Sequence, residues 1–367
     1  MNWIEEIALC KSEIARAVSS YLSDYYNPIA DSEEIFRYEE EELYELRPAR
    51  SFQHEMAWDD FVLKVKTRAR YFDPKIEEIL TDIFEGVHKL RSAKGNAVIR
   101  EVGPDSDFPI YRGRYASSDG QLRIYLEDPY NQLGPPPGGR AAAGRMNAYG
   151  VPVFYGATNP DVCLSEIRAP VGSQVVVACF KVLRPLKLLD LPVLEDALDE
   201  FGSFCDPRFA EKRSRVEFMK SLNERISQPV MPGEEALEYV PTQIVAAYLE
   251  HKLRPQIDGI IYRSTQYDGD GFNIVLLHHA SVVEELPYKD FKLSLGASPT
   301  SISAVPLAEE EVETEWSPFS SRRPPPWIDD RVPALAIDVE SINIHKVSGV
   351  RLDAWGSPTE FRVRCPK

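Results

Sequence analysis

RAAAGRMNAYGVPVFYGATNPDVCLSEIR, residues 140–168, is the stretch from which the rest of the chain can be read. Val151 to Tyr155 is a short apolar run ending in an aromatic and bounded by Gly150 and Gly156, which predicts a buried strand. Thr158-Asn159-Pro160-Asp161 then supplies polar cap candidates, a proline suited to a first turn and an early acid, the signature of a helix start. Pro170 ends that helix. A strand-loop-helix unit of this kind holds Tyr155 and Glu166 near one crevice, with Arg145 approaching from the preceding loop.

Outward from this stretch, strands are predicted around Ile110, Val153, Val175, Leu188, Ile260 and Ile274. Helices interrupt them at Pro192–Pro232, rich in phenylalanine among charges, and at Thr242–Leu253. The alternation is too irregular for a doubly wound parallel sheet and predicts an α+β domain. Residues 1–95 differ: Trp3 to Leu22, Trp58 to Val65 and Ile76 to Leu90 carry apolar residues at helical spacing, and Asp73-Pro74 starts the last helix. They predict an all-helical N-terminal domain. The fold class is therefore α+β, with a helical domain at 1–95, a mixed or antiparallel β core with surrounding helices at 100–290, and a Pro/Ser/Glu-rich linker with C-terminal strands at 291–367. In that last part, Ala334–Val350 predicts a strand pair packing on the main domain.

Composition sets outer limits. The 367 residues are 43% hydrophobic and 10% aromatic, enough for a real core. A formal charge of -16 argues against broad nucleic-acid binding, which needs dense Lys and Arg, but two or three local arginines still suffice for a nucleotide. The five cysteines (Cys10, Cys163, Cys179, Cys205, Cys365) are odd in number and widely spaced, which suggests free thiols in a reducing compartment. MNWIEEIALCK does not read as a signal peptide, and no run reaches the roughly 18 apolar residues of a membrane span. A cytoplasmic protein without membrane contact is the expectation. The histidines show no metal-ligand spacing, and neither a phosphate loop nor a post-strand G-x-G-x-x-G is present, so metal, NTPase and Rossmann readings lack their residues.

The ordered motifs resemble the RES-domain family. They are Tyr111-Arg112, Gly144-Arg145-Met146-Asn147, Gly150–Gly156 with Tyr155, and Leu164–Arg168 with Glu166. Leu188–Leu191, Tyr239–Gln243, Asp258–Ser264 and Gly271–Leu276 complete the order, over roughly residues 105–285. The resemblance implies an ADP-ribosyltransferase-like fold acting on NAD as substrate, with no further cofactor and no metal. It implies a toxin or defence effector that cleaves the nicotinamide-ribose bond, with water, inorganic phosphate or a target protein as acceptor. A co-encoded antitoxin and a homodimer are the partners it brings into view. The N-terminal region resembles the HEPN-like helical domain found before longer RES domains, on Trp58-x-x-Phe61 and Arg70-Tyr71-Phe72.

The chemistry stands beside that name. In NAD the leaving nicotinamide is already cationic and departs without a strong general acid, so the barrier lies in the positive charge developing on the ribose, which a preorganised carboxylate stabilises in the transition state. Glu166 is the candidate. Arg112 and Arg145 would grip the pyrophosphate as guanidinium forks, with Arg114 a rival for Arg112 one strand-step along the same face. Tyr155 would face the nicotinamide ring, while Ser264 and Asn147 would contact the substrate. Each residue alone has a plainer reading: a solvated arginine in a Gly-rich loop, an exposed helix acid, a core tyrosine. Two other functions compete: protein ADP-ribosylation, and a non-catalytic NAD-binding scaffold. A HEPN ribonuclease is disfavoured, because Arg47 and His54 lie at the upper limit of the required spacing and Pro48 disrupts the helix between them.

Overall fold

The structure, a computed structural model, describes residues 13, 16–21, 52–68, 72–92, 94–198, 209–231, 233–267, 269–284, 292–295, 302–305 and 330–349. The chain divides into two compact units: Met1–Arg100 with Leu188–Ile257, and Glu101–Lys187 with Asp258–Lys367. Arg47, the Glu39–Glu42 run, Cys10, Cys205, Cys365 and most of the Trp3–Leu22 pattern lie outside the described residues.

The first unit contains helices Phe52–Thr67, Pro74–Phe84, Phe209–Ser227 and Val240–His251. Asp73 caps the second, its side chain accepting from the Lys75 N–H at 3.0 Å, and Pro74 occupies the first turn, as Asp73-Pro74 predicts. That helix buries Ile76, Leu80, Ile83 and Phe84. The expectation drew a boundary near residue 95, yet these faces do not close on themselves. The Trp58 ring lies 6.0 Å from Phe218 and the Phe84 ring 5.9 Å from Tyr248, so helices more than a hundred residues apart share one core. His54 belongs to this core: it is buried, stacked on Phe218, with Ser214 Oγ 3.4 Å from Nδ1 and Asp82 3.6 Å from Nε2.

Eight strands form one mostly antiparallel sheet: β1 Ile99–Val102, β2 Ile110–Ala116, β3 Phe154–Ala157, β4 Gln174–Val182, β5 Leu186–Asp190, β6 Gly259–Arg263, β7 Phe272–Leu276 and β8 Leu335–Lys346. Their order is β8-β4-β2-β3-β7-β6-β5-β1. The molecule is thus α+β. Strand β3 starts three residues later than the apolar run suggests, because Pro152 has no N–H to give a ladder. It also includes Gly156 instead of stopping there: a Cβ at 156 would sit 2.6 Å from Ile110 Cγ2, so only glycine lets β2 approach. Residues 334–349 hold one strand, β8, rather than the expected pair, and Lys292–Leu295 pairs with Ile302–Val305 in a separate two-stranded sheet. A bulge between Asp338 and Asn343 bends it, and Ser341 Oγ fills the gap by accepting from the Cys179 N–H at 2.8 Å.

Strand register assigns the two faces of the sheet, because directly opposed residues share a face. Tyr111 pairs with Ala157, Ala157 with Asn273, and Asn273 with Tyr262. Helix Pro160–Ile167 covers this face, where Ala157, Val162, Cys163, Val175 and Val177 form a buried cluster with Tyr111 and Ile167 packed on it. Phe154 and Phe180 lie on the other face, edge to face at 4.8 Å. No helix among the described residues is long and apolar enough to cross a membrane.

Candidate active site

Glu166 sits in the last turn of helix Pro160–Ile167. The helix begins where local rules place it: the Asn159 side chain accepts from the Val162 N–H at 2.9 Å, with Pro160 in the first turn. It ends before Pro170, at Arg168, whose φ of 51° is left-handed. Although the residue is exposed, one carboxylate oxygen is pinned. Oε1 accepts from Ser264 Oγ at 2.6 Å and from Asn273 Nδ2 at 2.7 Å, and both donors are buried. Ser264 also accepts from the Gln266 N–H at 3.2 Å, leaving its own proton directed at Glu166. No described residue bonds Oε2.

Tyr155 shares this face, two residues before Ala157 on β3. Its hydroxyl donates to Asn147 Oδ1 at 2.9 Å and accepts from the Met146 N–H at 2.9 Å. Asn147 is buried and its Nδ2 reaches the Ala142, Ala148 and Val151 carbonyls at 2.9, 3.2 and 2.9 Å. Arg145, half-buried, stands at the corner of the turn so held.

Arg112 and Arg114 share a face with each other, as their spacing predicts. It is the face of Phe154, opposite to that of Glu166. The Arg112 guanidinium lies 4.9 Å from the Phe154 ring centroid and donates from Nη1 to the Tyr155 carbonyl at 2.6 Å, and its buried Nε has no hydrogen-bond partner among the described residues. Arg114 donates to the Gln132 and Gly134 carbonyls, both at 3.3 Å, at the C-terminal end of helix Pro129–Leu133. Neither has a carboxylate partner among the described residues. Burial, reinforced by Arg114, lowers the Arg112 pKa well below the usual guanidinium value. On the Glu166 face, burial raises the Cys163 thiol to about 12 against the fields of Arg112 and Arg114, with Glu166 adding to the rise. Of the expected residues, Glu166, Ser264 and Tyr155 are thus brought to one face, while Arg112 and Arg114 are built into the sheet behind it.

A profile of the RES domain matches residues 118–295. The chain carries a RES domain. Comparison with curated proteins and with solved structures found no match. Arg145, Asn147, Tyr155, Glu166 and Ser264 fall inside the RES domain as matched, and Arg112 and Arg114 lie just before it. The residue that sequence reasoning missed is Asn273. An asparagine between Phe272 and Ile274 in an apolar strand is a signal in itself, because a buried amide without partners is costly and its strand neighbours offer none. Among the described residues there is no group of three or more His, Cys, Asp or Glu able to hold a metal ion.

Proposed function

We propose that this protein consumes NAD, breaking the bond between nicotinamide and ribose, on an ADP-ribosyltransferase-like core formed by the sheet. The supporting observation is the carboxylate of Glu166, which two buried donors fix through one oxygen while the other stays open, in a chain that carries a RES domain. A carboxylate so held is preorganised: it meets positive charge developing on a sugar carbon without having to reorient, which favours the transition state over bound substrate. In this reading Ser264 and Asn273 act through Glu166, Tyr155 flanks the crevice, and Arg145 holds phosphate oxygens of the dinucleotide. Arg112 and Arg114 brace β2, β3 and helix Pro129–Leu133. Water, inorganic phosphate or a protein side chain accepts the ADP-ribosyl group, consistent with a toxin or defence effector.

The test is nicotinamide release from NAD by the purified full chain, with phosphate present and absent. Glu166→Gln keeps the size and an acceptor oxygen but removes the charge, and turnover should fall on the order of a hundredfold or more. Equal turnover by this variant would exclude the assigned role. NAD binding by the native chain without nicotinamide release would point instead to a scaffold.

A further inference from the structure

Met146 is buried at the corner of a tight turn, a place where a backbone N–H normally faces water. The turn is closed at both ends: Gly144 N–H donates to the Asn147 carbonyl at 3.0 Å, and Asn147 N–H to the Gly144 carbonyl at 3.3 Å. That leaves the Met146 N–H to find another acceptor, and among the described residues the side chain that accepts it is Tyr155, through its hydroxyl. The direction of the chain of bonds follows. Since the hydroxyl oxygen is taken by a donor, its proton goes to Asn147 Oδ1. The Asn147 amide cannot be turned around, because its nitrogen faces three carbonyls. Gly144 completes the fit: a Cβ there would lie 2.6 Å from Asn147 Oδ1 and 2.7 Å from Tyr155 Oη.

We infer that the Tyr155 hydroxyl and Asn147 are positioning residues for Arg145, setting the angle at which the turn presents that side chain to a dinucleotide phosphate. The inference rests on the NAD reading above. It reassigns Asn147 from ligand contact to keystone, and separates two parts of Tyr155: the ring lies on the face that carries Glu166, the hydroxyl serves the turn.

The experiment compares the native chain, Tyr155→Phe, Arg145→Ala and the double variant. Tyr155→Phe should raise KM for NAD about tenfold, the worth of one hydrogen bond, with a much smaller effect on kcat. In the Arg145→Ala background the same change should have no further effect, because the residue it positions is gone. Losses that multiply would overturn the inference and give the hydroxyl its own contact with substrate. Hydrogen exchange provides the arm that needs no substrate. The Met146 amide should exchange faster in Tyr155→Phe, and Asn147→Asp, which loses the three carbonyl bonds, should loosen the same turn. Unchanged exchange in both variants sinks the inference. If the native chain neither binds nor cleaves NAD, the proposed function fails, and the exchange result still decides whether the hydroxyl holds the turn.

Discussion

Asp258 shows how a single residue shapes pH behaviour in this fold. It precedes β6 and is nearly buried, which pushes its carboxyl pKa up. Hydrogen bonds from His279 Nε2 at 3.1 Å, Lys187 N–H at 2.9 Å and Arg184 Nη1 at 2.9 Å outweigh that burial and leave the group below its ordinary value. A carboxyl depressed in the folded state stabilises it above the unfolded-state pKa, and that contribution disappears as pH falls through the lower folded value. Asp258→Ala should therefore cost about 1–3 kcal/mol near neutrality, since it strands partly buried donors, and much less at a pH below the folded value. Thermal melts of both chains across pH 2–7 read this directly; a constant gap would contradict it. Asp258 was legible as part of a motif, but its three partners come from elsewhere in the chain and no local pattern announces them.

At the scale of elements, the helix carrying Glu166 was legible to within a residue or two, because capping by Asn159 and the first-turn Pro160 are local effects. The strands around Ile110, Val175, Leu188, Ile260 and Ile274 were legible from apolar runs. Strand β1 and helices Asp119–Glu127 and Pro129–Leu133 were not, since their mixed polar sequences hold few apolar positions and their ends depend on the Ser118 and Asp128 caps. Nor was the face on which Arg112 lies, because alternation says which residues share a face and not which face receives the helix. Helix and sheet meet closely at Gly271, where a Cβ would stand 2.3 Å from Val162 Cγ2 and 2.6 Å from the Tyr267 ring. Gly271→Ala should force that helix away and destabilise the protein by about 1–3 kcal/mol. Because Val162 lies one turn from Glu166, the nicotinamide release we propose should fall together with the melting temperature. A variant as stable as the native chain would show that the helix has room to give.

For the whole molecule, the matched RES domain and the compact units do not coincide. Residues 188–257 lie inside the match but belong to the unit that also holds Met1–Arg100. Within it, Lys66 pairs with Glu238 at 2.6 Å and Lys252 with Glu77 at 2.9 Å, beside the aromatic contacts of Phe218 and Tyr248. Removing residues 1–100 would bare the buried faces of helices Phe209–Ser227 and Val240–His251, including Phe218, Leu222, Val245 and Leu249. A fragment of residues 101–367 should therefore aggregate on expression, while the full chain stays soluble. Monodisperse fragment in size-exclusion chromatography would refute this. Such a partnership was beyond reading from the sequence, where helical periodicity shows that a face wants cover without naming what covers it.

The distances along the chain inside the Glu166 cluster carry a consequence for biosynthesis. Ser264 follows Glu166 by 98 positions and Asn273 by 107, so both donors leave the ribosome well after the acid they hold. Contacts this remote form late and only once the intervening strands have paired. A nascent or truncated polypeptide that stops short of residue 273 holds its acid without the full anchor, so the fixed carboxylate exists only in a chain made past that point.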